Sequence, residues 1–83
     1  MKKYIRNYLK HFGYYEGDFM PSEINGELAT VLHHIQFGRF KRSDDVTNII
    51  AISHSQHEQA HGLREPRLTR EELQQIHNDF MNK

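Results

Sequence analysis

Five of the chain's seven histidines lie between Leu32 and His61, and they are the residues most suited to metal chemistry. Two of them, His57 and His61, are four residues apart. On a helix, both imidazoles would project from one face at a separation that a single metal ion can bridge. The alternative interpretation is a pair of solvated surface histidines.

The adjacent pair His33 and His34 adds to this pattern. Neighbours in a regular strand point to opposite faces, so both can serve one site only if the strand ends or bends there. In that case one imidazole can complete a three-nitrogen metal site with His57 and His61, while the other stays free as a base. Three neutral imidazoles leave a coordination position open, which suits an anionic oxygen ligand such as phosphate.

Periodicity and capping signals predict the elements that must position these histidines. Apolar residues recur on one face of an N-terminal helix within residues 1–13, which Gly13 ends. The β-branched and aliphatic content of Leu28–Ile35 and Val46–Ile52 predicts two strands. Capping-box spacings predict the starts of two further helices, at Ser53/Gln56 and at Thr69/Glu72. The sequence therefore predicts an α+β fold with helices on both sides of a two-stranded ribbon.

Length and composition restrict the possible classes of protein. With 83 residues, we expect one small domain over 1–83 with a marginal core, which a metal or a partner chain often supplements. There are no cysteines, so disulfides are excluded. No segment approaches membrane-spanning length, and the default expectation is a cytoplasmic protein.

Basic and acidic residues balance at 11 each, so net charge does not argue for nucleic acid, but the distribution is uneven. Arg39, Lys41 and Arg42 lie together between the predicted strands and are candidate phosphate contacts. A second basic group on the first helix consists of Lys3, Arg6 and Lys10. The alternative for both groups is an ordinary solvated surface.

The order HHI, an asparagine in NIIAI and then H-x-x-x-H resembles that of the HNH nucleases, also called ββα-metal or His-Me finger nucleases. The similarity covers about Glu23 to Gly62, and the helix L-x-x-I-H-x-x-F-M also looks like that of small phage-type HNH proteins. It implies a ββα-metal motif over 27–62, made of a two-stranded antiparallel ribbon and a helix. An N-terminal helix (1–13) and a C-terminal helix (69–82) would flank this motif.

The resemblance also implies roles for individual residues. His33, His57 and His61 would bind one divalent metal ion, and His34 would be the general base that activates water. Asn48 would hold the loop between the strands and so position His34. The expected activity is metal-dependent hydrolysis of DNA phosphodiester bonds, with weak sequence selectivity. The all-nitrogen site favours zinc, nickel, cobalt or manganese, although this family is often used with magnesium.

The sequence departs from many HNH proteins in lacking two C-x-x-C zinc knuckles. The corresponding positions are Ser22, Asn25, Ser53 and Gln56. Because these side chains are poor replacements for thiolates, we expect no structural zinc. The aromatic and aliphatic residues of the terminal helices would then have to support the motif.

The three remaining histidines are expected to lie outside the metal site. We expect His54 to be a possible substrate contact, His77 to be packed and hydrogen-bonded, and His11 to be on the surface. DNA is the expected partner, and a homodimer or a phage packaging partner is a further possibility. One rival is a non-catalytic, metal-containing nucleic-acid-binding module; the second is a metal-binding or regulatory domain unrelated to nucleic acid.

Overall fold

The computed structural model describes residues 1–38 and 42–83, so the predicted phosphate contacts Arg39 and Lys41 lie outside the described residues. The chain has an α+β arrangement of three helices and one two-stranded antiparallel sheet. In chain order, the elements are α1 (Lys3–Phe12), β1 (Val31–His34), a 3₁₀ turn (Val46–Asn48), β2 (Ile49–Ile52), α2 (His54–Ala60) and α3 (Arg70–Met81). This order fits a ββα arrangement with a helix on either side.

The end of α1 and the starts of α2 and α3 lie where the capping signals predict. Gly13 has a φ of 74°, and its N–H donates to carbonyls of the last turn of α1. Such a left-handed C-cap favours glycine because it has no Cβ. Both predicted capping boxes are confirmed: each cap side chain accepts from the backbone three residues later, and the reciprocal bond is also present at Ser53/Gln56 and Thr69/Glu72.

The strands are shorter than predicted. Thr30 still bonds across the sheet to Ile52, but the paired residues are only Val31–His34 and Ile49–Ile52. Residues Val46–Asn48 form a 3₁₀ turn because the Asp45 side chain accepts the backbone N–H of Thr47. The Asp45 carbonyl also accepts the N–H of Asn48. A local side-chain bond of this kind competes with strand pairing.

Strand β2 is buried on both faces, which explains why NIIAI is a continuous apolar run instead of an alternating one. One face packs into a core with α1, formed by Tyr8, Ala29, Ile49 and Ala51. The other face packs into a core with α3, formed by Ile35, Ile50, Ile52 and Leu73. The sheet is therefore held between the two terminal helices, and β1 remains accessible along its outer edge.

In the described part of the chain, no helix has the length and apolar character that crossing a bilayer requires.

Candidate metal centre and adjacent groove

Three histidines converge on one point of the structure. His33 comes from β1, His57 lies on α2, and His61, one turn further along, is the C-cap residue of that helix. The ring centroid of His33 is 5.2 Å from that of His57 and 5.4 Å from that of His61, and the latter two are 4.5 Å apart. One potential ligand atom from each residue lies within 4.8 Å of the others. The three side chains are close enough to hold one metal ion.

The donor set fits a divalent metal. The Nε2 atoms of His57 and His61 are 3.0 Å apart. Two nitrogens bound to a tetrahedral ion at about 2.0–2.1 Å would lie about 3.3 Å apart, so a small movement suffices. Burial, and then the neighbouring imidazoles of His57 and His61, lower the pKa of His33 to about 4. Burial also lowers the pKa of His57. Both shifts favour the neutral imidazole, which is the form that binds metals.

A groove of about 540 Å³ runs along this cluster and reaches both members of the histidine pair. In the sheet register, His33 is opposite Ile50 and His34 is opposite Ile49, so the two imidazoles lie on opposite faces. Strand β1 ends at His34, and the groove passes around this end. His34 therefore lines the same groove without belonging to the three-histidine cluster.

Two contacts fix the His34 ring. Its Nε2 is 2.9 Å from Oδ1 of Asp44, and the ring of Tyr4 lies against it with centroids 4.5 Å apart. An ionised carboxylate only accepts hydrogen bonds, so the neutral imidazole carries its proton on Nε2. The lone pair then lies on Nδ1, which has no hydrogen-bond partner among residues 1–38 and 42–83. This arrangement leaves one ring nitrogen able to accept a proton.

Asp44 is a site residue that sequence reasoning missed. It lies ten residues beyond His34, in a polar run that is typical of any exposed loop. The only available signal was the position of two aspartates directly before the second strand. That signal does not show which of them faces the histidine: Asp45 caps the 3₁₀ turn, whereas Asp44 contacts the imidazole.

The side chain of Asn48 ties together the two ends of the loop between the strands. Its amide nitrogen donates to the carbonyls of Gln36 and Ser43 at 3.0 and 2.9 Å. Its Oδ1 accepts the N–H of Gln36 at 2.8 Å. Asn48 is 6 % exposed, so these bonds are shielded from water. They hold the chain next to both His34 and Asp44.

Hydrogen bonds connect Ser22, Ser53 and Gln56, three of the four residues at the expected zinc-knuckle positions. The hydroxyl of Ser22 donates to Oε1 of Gln56 at 2.6 Å, and the N–H of Ser53 donates to the same oxygen at 2.8 Å. Asn25 is exposed and accepts only the N–H of Glu27 among the described residues. A buried amide thus joins the segment before β1 to the start of α2.

The other predicted site residues that the structure describes are exposed on the surface. Arg42 is exposed and lines the groove beside the histidine pair. His54 is exposed on α2, with Nε2 4.0 Å from Glu58, and is not in the cluster. His11 is exposed, and the basic side chains of α1 (Lys3, Arg6 and Lys10) are exposed as well.

His77 is fully buried and hydrogen-bonded, as predicted. Its Nδ1 is 2.7 Å from Oε1 of Glu23, and its Nε2 donates to the carbonyl of Val46 at 2.7 Å. The second oxygen of Glu23 accepts the hydroxyl of Tyr8 at 2.6 Å. Burial, and then the charge of Glu23, raise the pKa of Tyr8, which keeps this hydroxyl a donor. This buried network joins α1, α3 and the chain before β1.

Comparisons with protein-family models, with curated proteins and with solved structures find no match for this chain.

Proposed function

We propose that this protein is a metal-dependent endonuclease of the HNH type that hydrolyses phosphodiester bonds of DNA. The observation that carries the proposal is one groove lined by two different kinds of histidine site. One is the cluster of His33, His57 and His61, which fits a metal ion. The other is the imidazole of His34, which does not belong to this cluster and whose ring is held by a hydrogen bond to Asp44. Metal storage alone does not call for the second site.

In the proposed reaction, Nδ1 of His34 accepts a proton from the water that attacks phosphorus. The hydrogen bond from Nε2–H to Asp44 holds the ring in the required tautomer and stabilises the imidazolium that forms. The bond from phosphorus to the 3′ oxygen breaks, and that oxygen takes a proton from solvent, leaving 5′-phosphate and 3′-hydroxyl ends. Asn48 acts through the loop, because its three hydrogen bonds hold the chain next to His34 and Asp44.

A divalent ion held by His33, His57 and His61 would supply Lewis-acid stabilisation of the negative charge that develops on the phosphate and the departing oxygen. Zinc, nickel, cobalt and manganese suit three imidazoles better than magnesium does. Arg42 lines the same groove, and we expect it to contact a DNA phosphate. Phosphate contacts carry no sequence information, so we expect weak sequence selectivity.

The test is cleavage of supercoiled plasmid by protein stripped of metal and then supplied separately with magnesium, manganese, nickel or zinc. The His34→Ala variant is compared with wild type, and His11→Ala is the matched control because His11 is exposed and outside the groove. Metal-dependent nicking that is lost in His34→Ala and kept in His11→Ala supports the proposal. If the wild type binds DNA and cuts with none of the ions, the protein is instead a non-catalytic binding module.

A further inference from the structure

A second cavity, of about 330 Å³, opens on the other side of His33. Its walls come from the chain between α2 and α3 and from the first turn of α3. His33 and Phe37 line both this cavity and the first groove. The two depressions are therefore neighbours that share one wall: all three histidines of the candidate metal centre line the first groove, and His33 also lines the second cavity.

Two arginines line the second cavity. The guanidinium carbon of Arg70 is 4.2 Å from the ring centroid of Phe37, and its charge helps to lower the pKa of His33. The guanidinium of Arg67 lies beside Gly62, at the end of α2. In the described part of the chain, neither arginine forms an ion pair with a carboxylate, whereas Arg64 pairs with Glu58 at 3.0 Å. Glu71 also lines the cavity and partly offsets this charge.

The segment that carries Arg67 is held in position by hydrogen bonds to α2. The Gln59 side chain donates to the carbonyl of Pro66 at 3.0 Å, and the N–H of Leu68 donates to the carbonyl of Gln59 at 3.1 Å. Further back, the N–H of Leu63 donates to the carbonyl of Glu58 at 2.9 Å. The backbone on both sides of Arg67 is thus fixed, which reduces the entropy that ordering this arginine would cost.

We propose that Arg67 and Arg70 bind the phosphodiester backbone of a nucleic-acid strand next to the phosphate that is cleaved. Arg42 lines the groove that holds the candidate metal centre, and Arg67 and Arg70 line the cavity that shares His33 and Phe37 with it. A strand that lies in the groove and continues past His33 into the neighbouring cavity would meet cations in both depressions. Guanidinium groups suit this ligand because they present several N–H donors in a fixed plane to phosphate oxygens. This inference rests on the proposed function, which makes the polyanion a substrate.

The experiment measures binding of a fluorescein-labelled DNA duplex by fluorescence anisotropy at several salt concentrations, in chelator so that the probe is not cut. The test protein is Arg67→Gln/Arg70→Gln. The control is Arg64→Gln/Lys83→Gln, which removes the same charge at two exposed residues that line neither cavity. We expect the test variant to lose about two units of the slope of log K against log salt, and roughly 10- to 100-fold in affinity near 0.1 M salt. The control should stay within about 3-fold of wild type.

A third variant, Arg67→Lys/Arg70→Lys, separates charge from packing. It keeps both positive charges and should retain most of the wild-type slope, although an ammonium replaces the planar guanidinium that lies over the Phe37 ring. Equal affinity and slope for the glutamine variant and its control would overturn the inference, as would absence of DNA binding by wild type. Plasmid cleavage is measured separately. If the wild type cleaves DNA but the Arg67 and Arg70 substitutions do not change DNA binding, the proposed function is kept and this inference is rejected. If the substitutions weaken DNA binding but the wild type does not cleave DNA, the phosphate site is kept and the proposed nuclease function is rejected.

Discussion

Replacing Glu23 by alanine should destabilise the protein more than any single surface substitution. The carboxylate accepts the hydroxyl of Tyr8, contacts Nδ1 of His77 and accepts the N–H of Ala51 at 3.3 Å. The side chains of Glu23 and His77 are both 0 % exposed, and Tyr8 is fully buried. Water therefore cannot replace the missing carboxylate without entry into the core.

The expected loss follows from the groups left without partners. Each buried polar group that loses its hydrogen bond costs about 1–3 kcal/mol, and Glu23→Ala leaves at least the Tyr8 hydroxyl and one His77 nitrogen in this state. We expect the free energy of unfolding to fall by about 3–5 kcal/mol, the range for removing one partner of a buried pair. A chain of 83 residues has roughly 4–12 kcal/mol in total, so the midpoint of thermal unfolding should fall by at least about 12 °C.

A double-mutant cycle makes this prediction specific to the network. Tyr8→Phe alone should cost about 1–2 kcal/mol, because it removes one hydrogen bond to a charged acceptor. In the Glu23→Ala background the same change should be neutral or stabilising, because the Tyr8 hydroxyl there is already unpaired. Glu16→Ala, an exposed change of the same type, should stay within about 0.5 kcal/mol of wild type.

The assay is thermal and urea unfolding followed by far-UV circular dichroism, with all five proteins in one buffer. Two results would refute the reasoning. One is a cost below about 1 kcal/mol for Glu23→Ala. The other is additivity of Tyr8→Phe and Glu23→Ala, which would mean that the two side chains do not act through a shared hydrogen bond.

Four further predictions concern the groove and its supports. Asn48→Ala should cost at least about 2 kcal/mol in urea unfolding, because it leaves buried loop groups unpaired. Gln56→Ala should cost about 1–3 kcal/mol by the same assay, because it unpairs the groups that share its Oε1. Zinc at about 100 times its Kd should stabilise wild type by about 2.7 kcal/mol in a thermal shift assay; His57→Ala should abolish this effect and His54→Ala should keep it. Asp44→Asn should lower kcat for plasmid cleavage by about 10-fold or more with little change in KM, and an unchanged kcat would contradict the orienting role.

The sequence predicted what depends on local spacing. Helix ends could be predicted because capping residues act within three positions, as at Thr69 and Glu72. The convergence of His57 and His61 follows from one helical turn. The predicted start of the second strand was wrong because Asp45 turns the chain before β2, and this side-chain bond competes with an otherwise suitable strand sequence.

The buried network illustrates what the sequence could not provide. Glu23 and His77 are 54 residues apart, and no local pattern marks a glutamate that will be enclosed by two helices. Periodicity placed His77 on the packed face of α3, so burial and hydrogen bonding were predictable. Its hydrogen-bond partner, Glu23, could not be predicted, because the identity of the partner depends on how α3 packs against the sheet.

Three hydrogen-bond networks, centred on Asn48, Glu23 and Gln56, are attached to β2 or to its ends. These attachments explain how a small chain without cysteines can present an open site. Asn48 precedes the strand, Glu23 bonds to Ala51 within it, and Ser53 with Gln56 follows it. The two hydrophobic cores fix the faces of the same strand. The histidines of the candidate metal centre are then carried by the neighbours of β2: His33 by β1, and His57 and His61 by α2 and its C-cap. Because β2 is held by the interior, these neighbours can present the three imidazoles to the groove without losing their positions.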